Sequence, residues 1–198
     1  GPFPEHYEPL ECPVEKNLLS PQKNNPVIKR FDKKGVGSDM DLYSGVGTCD
    51  PRFPFICSTY RVSEHWQTGV LTRWCPWLAE MQPGMFVEIS EELAKMRGIK
   101  TGDKCTVSSA RGEVVCTAIV TPRFKPFNID GNEIHEIGIP WHFGWITTAD
   151  RSYNAGDKKA EVFTTGDAAN LLTPTIGDAN TMIPESKAFM ANVVKGVK

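Results

Sequence analysis

The chain has 198 residues and a mass of 22.0 kDa, a length that allows one domain or one domain with a long appendage. Its 22 Lys and Arg balance 24 Asp and Glu, which argues against a broad surface for nucleic acid or anionic membranes. No apolar run approaches the roughly 20 residues of a membrane-spanning helix, and no signal-peptide pattern opens the chain. Because the first residue is Gly1, we expect a processed product or a downstream piece of a larger protein. The 17 Gly and 15 Pro predict many loops, a β-rich fold and few long helices.

Residues 1–55 form a segment rich in Pro and Gly with little periodicity. Pro removes a backbone donor and interrupts both helices and strands, so this segment cannot bury much apolar surface alone. Its aromatic residues, among them Phe3, Tyr7 and Phe31, argue against plain disorder. The segment is therefore interpreted as an extended arm that packs along another surface, and a flexible linker is the alternative.

Regular structure is predicted from residue 55 onward. Residues 55–61 and 85–89 are rich in β-forming side chains and are predicted as strands. Ser90 is a suitable N-cap for a short helix, and Gly98 stands where a left-handed C-cap is needed. The order of segments predicts a strand that leads directly into a two-turn helix.

A turn at Gly102 and Asp103 follows this helix and leads into two further strands, 104–109 and 113–121. A strand pair is predicted within 132–139, and a closing strand within 188–195. The domain that follows the arm therefore covers residues 56–198 and is mainly β with short helices.

The six cysteines are spread along the chain, at Cys12, Cys49, Cys57, Cys75, Cys105 and Cys116. They form no C-x-x-C pair and have no His at zinc-finger spacing, so we assign no metal to this chain. Cys105 and Cys116 fall within predicted strands and are expected to be buried thiols.

Three segments have a composition that suits a ligand site. Residues 59–69 contain Arg61, whose guanidinium suits phosphate or carboxylate, and Gln67, whose amide can bind the edge of a heterocycle. Residues 139–145 are dense in flat side chains, which stack on planar ligands but also form hydrophobic plugs. Residues 170–181 are polar and turn-forming, so turn-capping is at least as good an interpretation as ligand binding.

Sequence motifs for common catalytic sites are absent: the chain has no G-x-S-x-G, P-loop, G-x-G-x-x-G or H-E-x-x-H. Of the four histidines, His65 and His142 lie in suggestive surroundings, but neither accompanies a nucleophile in the sequence. The chain alone therefore has no predicted catalytic residue.

The order of several longer motifs resembles the C-terminal portion of the large subunit of molybdenum- or tungsten-dependent formate dehydrogenases, over essentially the whole chain. These motifs are GPFPEHYEP at 1–9, TYR at 59–61 with Glu64 and His65, FVEI at 86–89, Gly102-Asp103, IPWH at 139–142 with Gly144, and residues 170–187.

The resemblance implies a double-psi β-barrel, similar to aspartate-decarboxylase-like barrels, that binds bis(molybdopterin guanine dinucleotide) with molybdenum or tungsten. It implies cofactor contacts in a loop after the first barrel strand, an aromatic loop and a late closing segment. The residues that match these positions are Arg61, His65, Trp66, Gln67, Thr68, Trp141, His142, Gly144, Asn170, Asp178, Ser186 and Lys187.

The resemblance also implies what lies outside this chain. The metal ligand, the catalytic His and the iron–sulfur clusters of this family belong to upstream domains or partner chains. The expected partners are the remainder of the large subunit and an iron–sulfur electron-transfer subunit, with no nucleic acid and no direct membrane span. The expected location is periplasmic, with a cytoplasmic alternative.

Two alternatives for function are a stand-alone double-psi barrel for protein interaction, and the same domain of another molybdopterin oxidoreductase such as a nitrate reductase.

Overall fold

The computed structural model describes residues 8–9, 11–14, 18–19, 49–144, 146–148, 162–164, 166–178 and 180–197. Strands dominate these residues, and the helices are short. Among them, no helix is long and apolar enough to cross a membrane. The prediction of a mainly β chain with short helices is confirmed.

The elements follow one another in a fixed order along the chain. The strands are β1 (Phe55–Tyr60), β2 (Phe86–Ser90), β3 (Lys104–Ser108), β4 (Glu113–Thr121), β5 (Phe127–Ile129), β6 (Asn132–Ile134), β7 (Glu136–Pro140), β8 (Ile146–Thr148), β9 (Val162–Thr164) and β10 (Phe189–Lys195). The α-helices are α1 (Pro76–Met81) and α2 (Glu91–Arg97), and two 3₁₀ turns cover Thr72–Trp74 and Ala169–Leu171.

Six strands close into a barrel in the order β1-β10-β3-β4-β2-β7. The pairs β1–β7 and β2–β4 are parallel, whereas the other four pairs in the ring are antiparallel. Parallel neighbours cannot be joined by a hairpin, so the chain crosses the barrel between them. This closed, crossed arrangement confirms the expected double-psi β-barrel.

Apolar side chains from every barrel strand fill the interior. Val87, Ile89, Val107, Ile137 and Phe189 are all fully buried, and β1 alternates buried and half-buried positions along its length. A period of two places alternate side chains of a strand on the inner face, which removes their apolar surface from water. The core is therefore the inside of the barrel, and loops at the strand ends remain for a ligand.

The local signals around α2 gave its ends correctly. The Ser90 hydroxyl accepts a hydrogen bond from the backbone N–H of Leu93 at 3.1 Å, and Gly98 adopts a left-handed φ of +64°. The Ile99 N–H then bonds to the Ala94 carbonyl at 2.9 Å, as a glycine C-cap requires.

The predicted strands are also found, with one difference in pairing. Residues 132–139 do contain two strands, β6 and β7, but these do not pair with each other. Strand β6 pairs with β5, and β7 pairs with β1 and β2. The helix α1 and the strands β5, β8 and β9 were not predicted.

Glu11 joins segment 1–55 to the barrel. The buried Glu11 carboxylate forms an ion pair with Arg111 and accepts the Met190 backbone N–H at 2.8 Å. The Cys49 N–H bonds to the Cys12 carbonyl at 2.8 Å. Most of the predicted arm lies outside the described residues, and the boundary between residues 55 and 56 stays a prediction.

Cys105 and Cys116 lie opposite each other on β3 and β4, and both are buried. Burial raises the pKa of the Cys116 thiol to about 12, so it stays protonated at neutral pH. The prediction of buried, neutral thiols at these two positions is confirmed.

Candidate functional site

The candidate site lies where β1 and β7 end. These strands run parallel with Tyr60 opposite Pro140, so the residues that follow them, Arg61 and Trp141, emerge at the same end of the barrel. The Arg61 guanidinium lies 5.1 Å from the Trp141 ring centroid, a cation–π contact. The topology thus joins two segments that are about 80 residues apart in the sequence.

The late segment reaches the same place through β1. The Lys187 ammonium donates a hydrogen bond to the Thr59 carbonyl, and the Thr59 hydroxyl donates to the Ser186 carbonyl at 2.8 Å. Partial burial, and next the charge of Arg61, hold the pKa of Lys187 below its ordinary value. Two cations therefore lie close together at this end of the barrel.

No carboxylate among the described residues forms an ion pair with Arg61 or Lys187. Nearby, the buried indole N–H of Trp141 has no hydrogen-bond acceptor within the described part of the chain. A buried donor without an acceptor costs about 1–3 kcal/mol. Two neighbouring cations and one unused donor fit an anionic ligand rich in acceptor oxygens, such as the pyrophosphate of a dinucleotide.

His142 is fully buried and bridges two points of the loop that follows β1. Its Nε2 accepts the Val62 backbone N–H at 2.9 Å, and its Nδ1 donates to the Gln67 carbonyl. Because a backbone N–H only donates and a carbonyl only accepts, the partners fix the neutral Nδ1–H tautomer. Burial lowers the pKa of His142, which favours the same neutral form.

His65 fixes the next part of this loop. Its Nε2 donates to the Gln82 carbonyl at 2.8 Å, and its Nδ1 lies within hydrogen-bond distance of the Thr72 hydroxyl, at 3.0 Å. The Trp66 N–H in turn donates to the Thr72 oxygen at 3.1 Å. The ring nitrogens of both histidines are thus engaged within the chain. Any part that His65 and His142 play in cofactor binding is through loop position, not through direct contact of a ring nitrogen.

Gly69 and Arg73 lock the far end of the loop against the aromatic segment. Gly69 has a φ of +89°, and a Cβ there would lie 2.5 Å from the His142 carbonyl oxygen. The Arg73 guanidinium donates to the same oxygen at 2.7 and 3.2 Å, and lies 4.3 Å from the Phe143 ring centroid. Sequence reasoning missed Arg73, because its partners lie about 70 residues away and nothing near it in the sequence marks them.

The remaining loop residues expose their side chains. Trp66, Gln67 and Thr68 are all exposed, and Gln67 adopts a φ of +52°. A non-glycine residue with a backbone in the left-handed region is uncommon, and such residues cluster in ligand-binding loops. The structure therefore presents these three side chains outward from a fixed backbone.

Gly144 and Asn170 lie where the aromatic loop meets the segment of residues 166–171. A Cβ on Gly144, whose φ is +103°, would lie 2.4 Å from Ala168, so the aromatic loop abuts the segment that carries Asn170. Asn170 itself is exposed within the 3₁₀ turn Ala169–Leu171.

Asp178 is engaged in its own turn. One of its carboxylate oxygens accepts the Asn180 N–H, the Thr181 N–H and the Thr181 hydroxyl at 2.8–3.0 Å. These hydrogen bonds lower the pKa of Asp178 and stabilise the turn. No described hydrogen bond joins Asp178 to Arg61 or Lys187, and its contact with a cofactor stays a prediction.

No group of His, Cys, Asp or Glu that could hold a metal ion occurs among the described residues. The site is therefore a surface of cations, donors and flat rings around the ends of β1 and β7.

Comparisons with known proteins fit this surface. Residues 55–190 match the model of the family described as the molydopterin (molybdopterin) dinucleotide binding domain. The chain is 51% identical over 197 residues to the formate dehydrogenase subunit alpha of Megalodesulfovibrio gigas, covering 98% of this chain and 17% of that protein. It is 40% identical over 196 residues to the major subunit of the nitrate-inducible formate dehydrogenase of Escherichia coli, again covering 98% and 17%.

A solved structure with the same fold is acetylene hydratase from Pelobacter acetylenicus. The TM-score is 0.54 at 13% identity, covering 75% of this chain and 20% of that one, which concerns the fold alone. The chain spans about one sixth of the length of the curated relatives that it matches (17% in each of the two named). Because the family match covers well over half of the chain, the chain belongs to the molybdopterin dinucleotide binding domain family.

Proposed function

We propose that this chain is the cofactor-binding part of the large subunit of a formate dehydrogenase and that it binds bis(molybdopterin guanine dinucleotide). The observation that carries the proposal is the convergence of Arg61, Lys187 and the unused Trp141 N–H at one end of the barrel. Three relatives named formate dehydrogenase match nearly the whole chain at 40–51% identity and support this substrate. When bound, the cofactor would supply the molybdenum or tungsten centre at which formate is oxidised to carbon dioxide, with two electrons passed on to iron–sulfur centres.

The residues of this chain bind and orient. Arg61 and Lys187 offset the negative charge of the pyrophosphate, and the Trp141 N–H donates to an acceptor beside them. Trp66, Gln67 and Thr68 project from the loop towards the ligand, where the Gln67 amide can donate to and accept from a pterin or guanine edge. His65 and His142 hold the backbone of that loop. Gly144, Asn170, Asp178 and Ser186 belong to the segments proposed to surround the cofactor.

The proposed assembly extends beyond this chain. The remainder of the large subunit contributes the metal ligand and the catalytic His, and an iron–sulfur subunit or upstream domain carries the electrons away. Residues 1–55 form the arm of the domain and residues 56–198 its barrel. We propose a periplasmic location for the assembly, which fractionation of cells with an antibody to this chain would test.

A nitrate reductase of Symbiobacterium thermophilum is 40% identical, but over only 77 residues and 39% of this chain. Formate dehydrogenases match almost all of the chain. The longer match favours formate as the substrate.

The test uses the purified full-length enzyme with Arg61→Ala or Lys187→Ala, and measures bound guanine nucleotide and formate oxidation with an artificial electron acceptor. Loss of one charge-assisted hydrogen bond costs about 1.5–3 kcal/mol, so we expect cofactor affinity to fall by about 10-fold to 100-fold. The control is Lys125→Ala, which removes an exposed lysine whose partner is Glu92 at 3.2 Å. Full cofactor content in both site variants would contradict the proposal.

A further inference from the structure

A group of large apolar side chains is exposed on and just after the loop that follows β1, residues 61–69, which is called here the cofactor loop. This group, called here the tryptophan face, consists of Trp66, Leu71, Trp74, Trp77 and Met81, which are between 62% and 75% exposed. Single exposed apolar residues are common on protein surfaces, whereas a cluster of this size marks an interaction site. Five such residues within 16 positions therefore call for a covering surface.

The helix α1 gives the same indication independently. It has only six residues, Pro76–Met81, and none of them is buried. A helix this short is not stable in water through its own hydrogen bonds and depends on packing. Trp77 and Met81 are four positions apart and therefore lie on one face of α1, and that face is exposed. Leu78 and Ala79 are half-buried and pack inward, whereas the described residues leave the face with Trp77 and Met81 uncovered.

The segment is nevertheless held in place from its inner side. Thr72 bonds to His65, and the Arg73 guanidinium bonds to the His142 carbonyl and lies over the Phe143 ring. These anchors turn Thr72 and Arg73 inward and leave Leu71 and Trp74 outward. The tryptophan face is therefore presented by an ordered backbone, which reduces the entropy lost on docking.

We propose that the tryptophan face docks against the remainder of the same large subunit, upstream of this domain in the polypeptide. This inference rests on the proposed function. The chain spans 17% of the length of its curated relatives, so most of such a subunit lies outside the structure and is available to cover the face.

The position of the face selects this partner over a second copy or another subunit. The face begins at Trp66, within the loop proposed to contact the cofactor, and continues through hydrogen bonds from Gly69 to Trp66 and from Arg73 to Gly69. No described residues form a metal-binding cluster. The upstream part of the subunit, which would supply the metal ligand, must approach the same cofactor and therefore the surface beside it.

The test places a photo-crosslinking residue on the face in the full-length enzyme, as Trp77→p-benzoylphenylalanine. The same replacement at Met96, an exposed residue of α2, provides the control position. After irradiation, mass spectrometry should identify a cross-link from position 77 to a peptide of the same large subunit upstream of this domain. A cross-link to another subunit or to a second copy, or no cross-link, would overturn the proposal.

The unmodified enzyme gives a second measurement that does not depend on the variant folding. Hydroxyl radicals should oxidise Trp74 and Trp77 about tenfold or more slowly in the native enzyme than in the unfolded enzyme, because a docked interface core excludes water. Equal oxidation rates in the two states would overturn the docking proposal.

Guanine-nucleotide content is measured on the same preparation and separates the two proposals. Protected tryptophans without the nucleotide would count against the cofactor function alone. Bound nucleotide with exposed tryptophans would count against docking alone.

Discussion

Replacing His142 with Phe removes the bridge that fixes the cofactor loop and keeps a flat ring in the same buried space. The change takes away the acceptor of the Val62 N–H and the donor to the Gln67 carbonyl. Both groups belong to the backbone, so each must find water or remain unpaired. The loop then loses the contact that determines where the side chains of residues 66–68 project.

The expected cost follows from these two groups. Val62 is half-buried and Gln67 is exposed, so water can reach the freed groups, and each lost hydrogen bond costs about 0.5–1.5 kcal/mol, or about 1–3 kcal/mol together. If this energy is lost from cofactor binding, even the lower value weakens the affinity by about fivefold. We therefore expect purified His142→Phe enzyme to contain much less guanine nucleotide than the unmodified enzyme.

His135→Phe is the matched control. His135 is also buried, and neither of its ring nitrogens bonds to a described backbone group. Nucleotide content, formate oxidation and thermal unfolding are compared for the two variants, both made in the full-length enzyme. A His142→Phe enzyme that keeps as much nucleotide as His135→Phe would refute the bridging role.

The bridge also predicts a pH dependence. Protonated His142 cannot accept the Val62 N–H, and burial, together with the nearby charges of Arg61 and Arg73, lowers the pKa of His142 in the folded state. A lowered histidine pKa contributes stability that is complete above the ordinary value of about 6.5 and is lost as pH falls through the lowered pKa. Cofactor release from the unmodified enzyme should therefore rise at acid pH, and His142→Phe should remove this part of the pH profile.

Two further predictions concern the loop and the arm. Gly69→Ala places a Cβ 2.5 Å from the His142 carbonyl at a positive φ, whereas Gly102→Ala at φ +92° meets no atom within 4 Å. Nucleotide content should therefore fall in the first variant and be kept in the second, and equal contents would contradict the packing argument. Glu11→Gln leaves the buried Arg111 charge without its partner, which costs about 3–5 kcal/mol. Limited proteolysis should then cut the segment around position 11 faster than in the unmodified enzyme, and an unchanged rate would contradict the anchoring role.

Local sequence signals were enough to predict α2, whereas α1 was not predicted because its position depends on contacts with residues that are distant in the sequence. The caps of α2 depend on Ser90 and Gly98 and their immediate neighbours, so the sequence contains the whole signal. The helix α1 begins with Pro at its first position, which is a recognised start signal. None of its residues is fully buried and only Leu78 and Ala79 are half-buried, so the apolar periodicity that marks a helix is weak.

The site divides in the same way. Arg61 and Lys187 could be proposed from residue type and family resemblance, and the structure brings them together through β1. The function of the His142 ring depends on Val62, 80 positions away, and on a strand pairing that sequence periodicity does not contain. From the sequence alone, direct contact of His142 with the cofactor therefore could not be distinguished from a role in holding the loop that follows β1.

The central claim is that this barrel binds a molybdopterin guanine dinucleotide as part of a formate dehydrogenase. The most direct measurement is the metal and nucleotide content of the intact complex purified with this chain, by elemental analysis and by release of guanine nucleotide on acid treatment. The account predicts molybdenum or tungsten together with guanine nucleotide, in fixed proportion to this chain. A fully assembled complex that contains neither metal and no guanine nucleotide would contradict it.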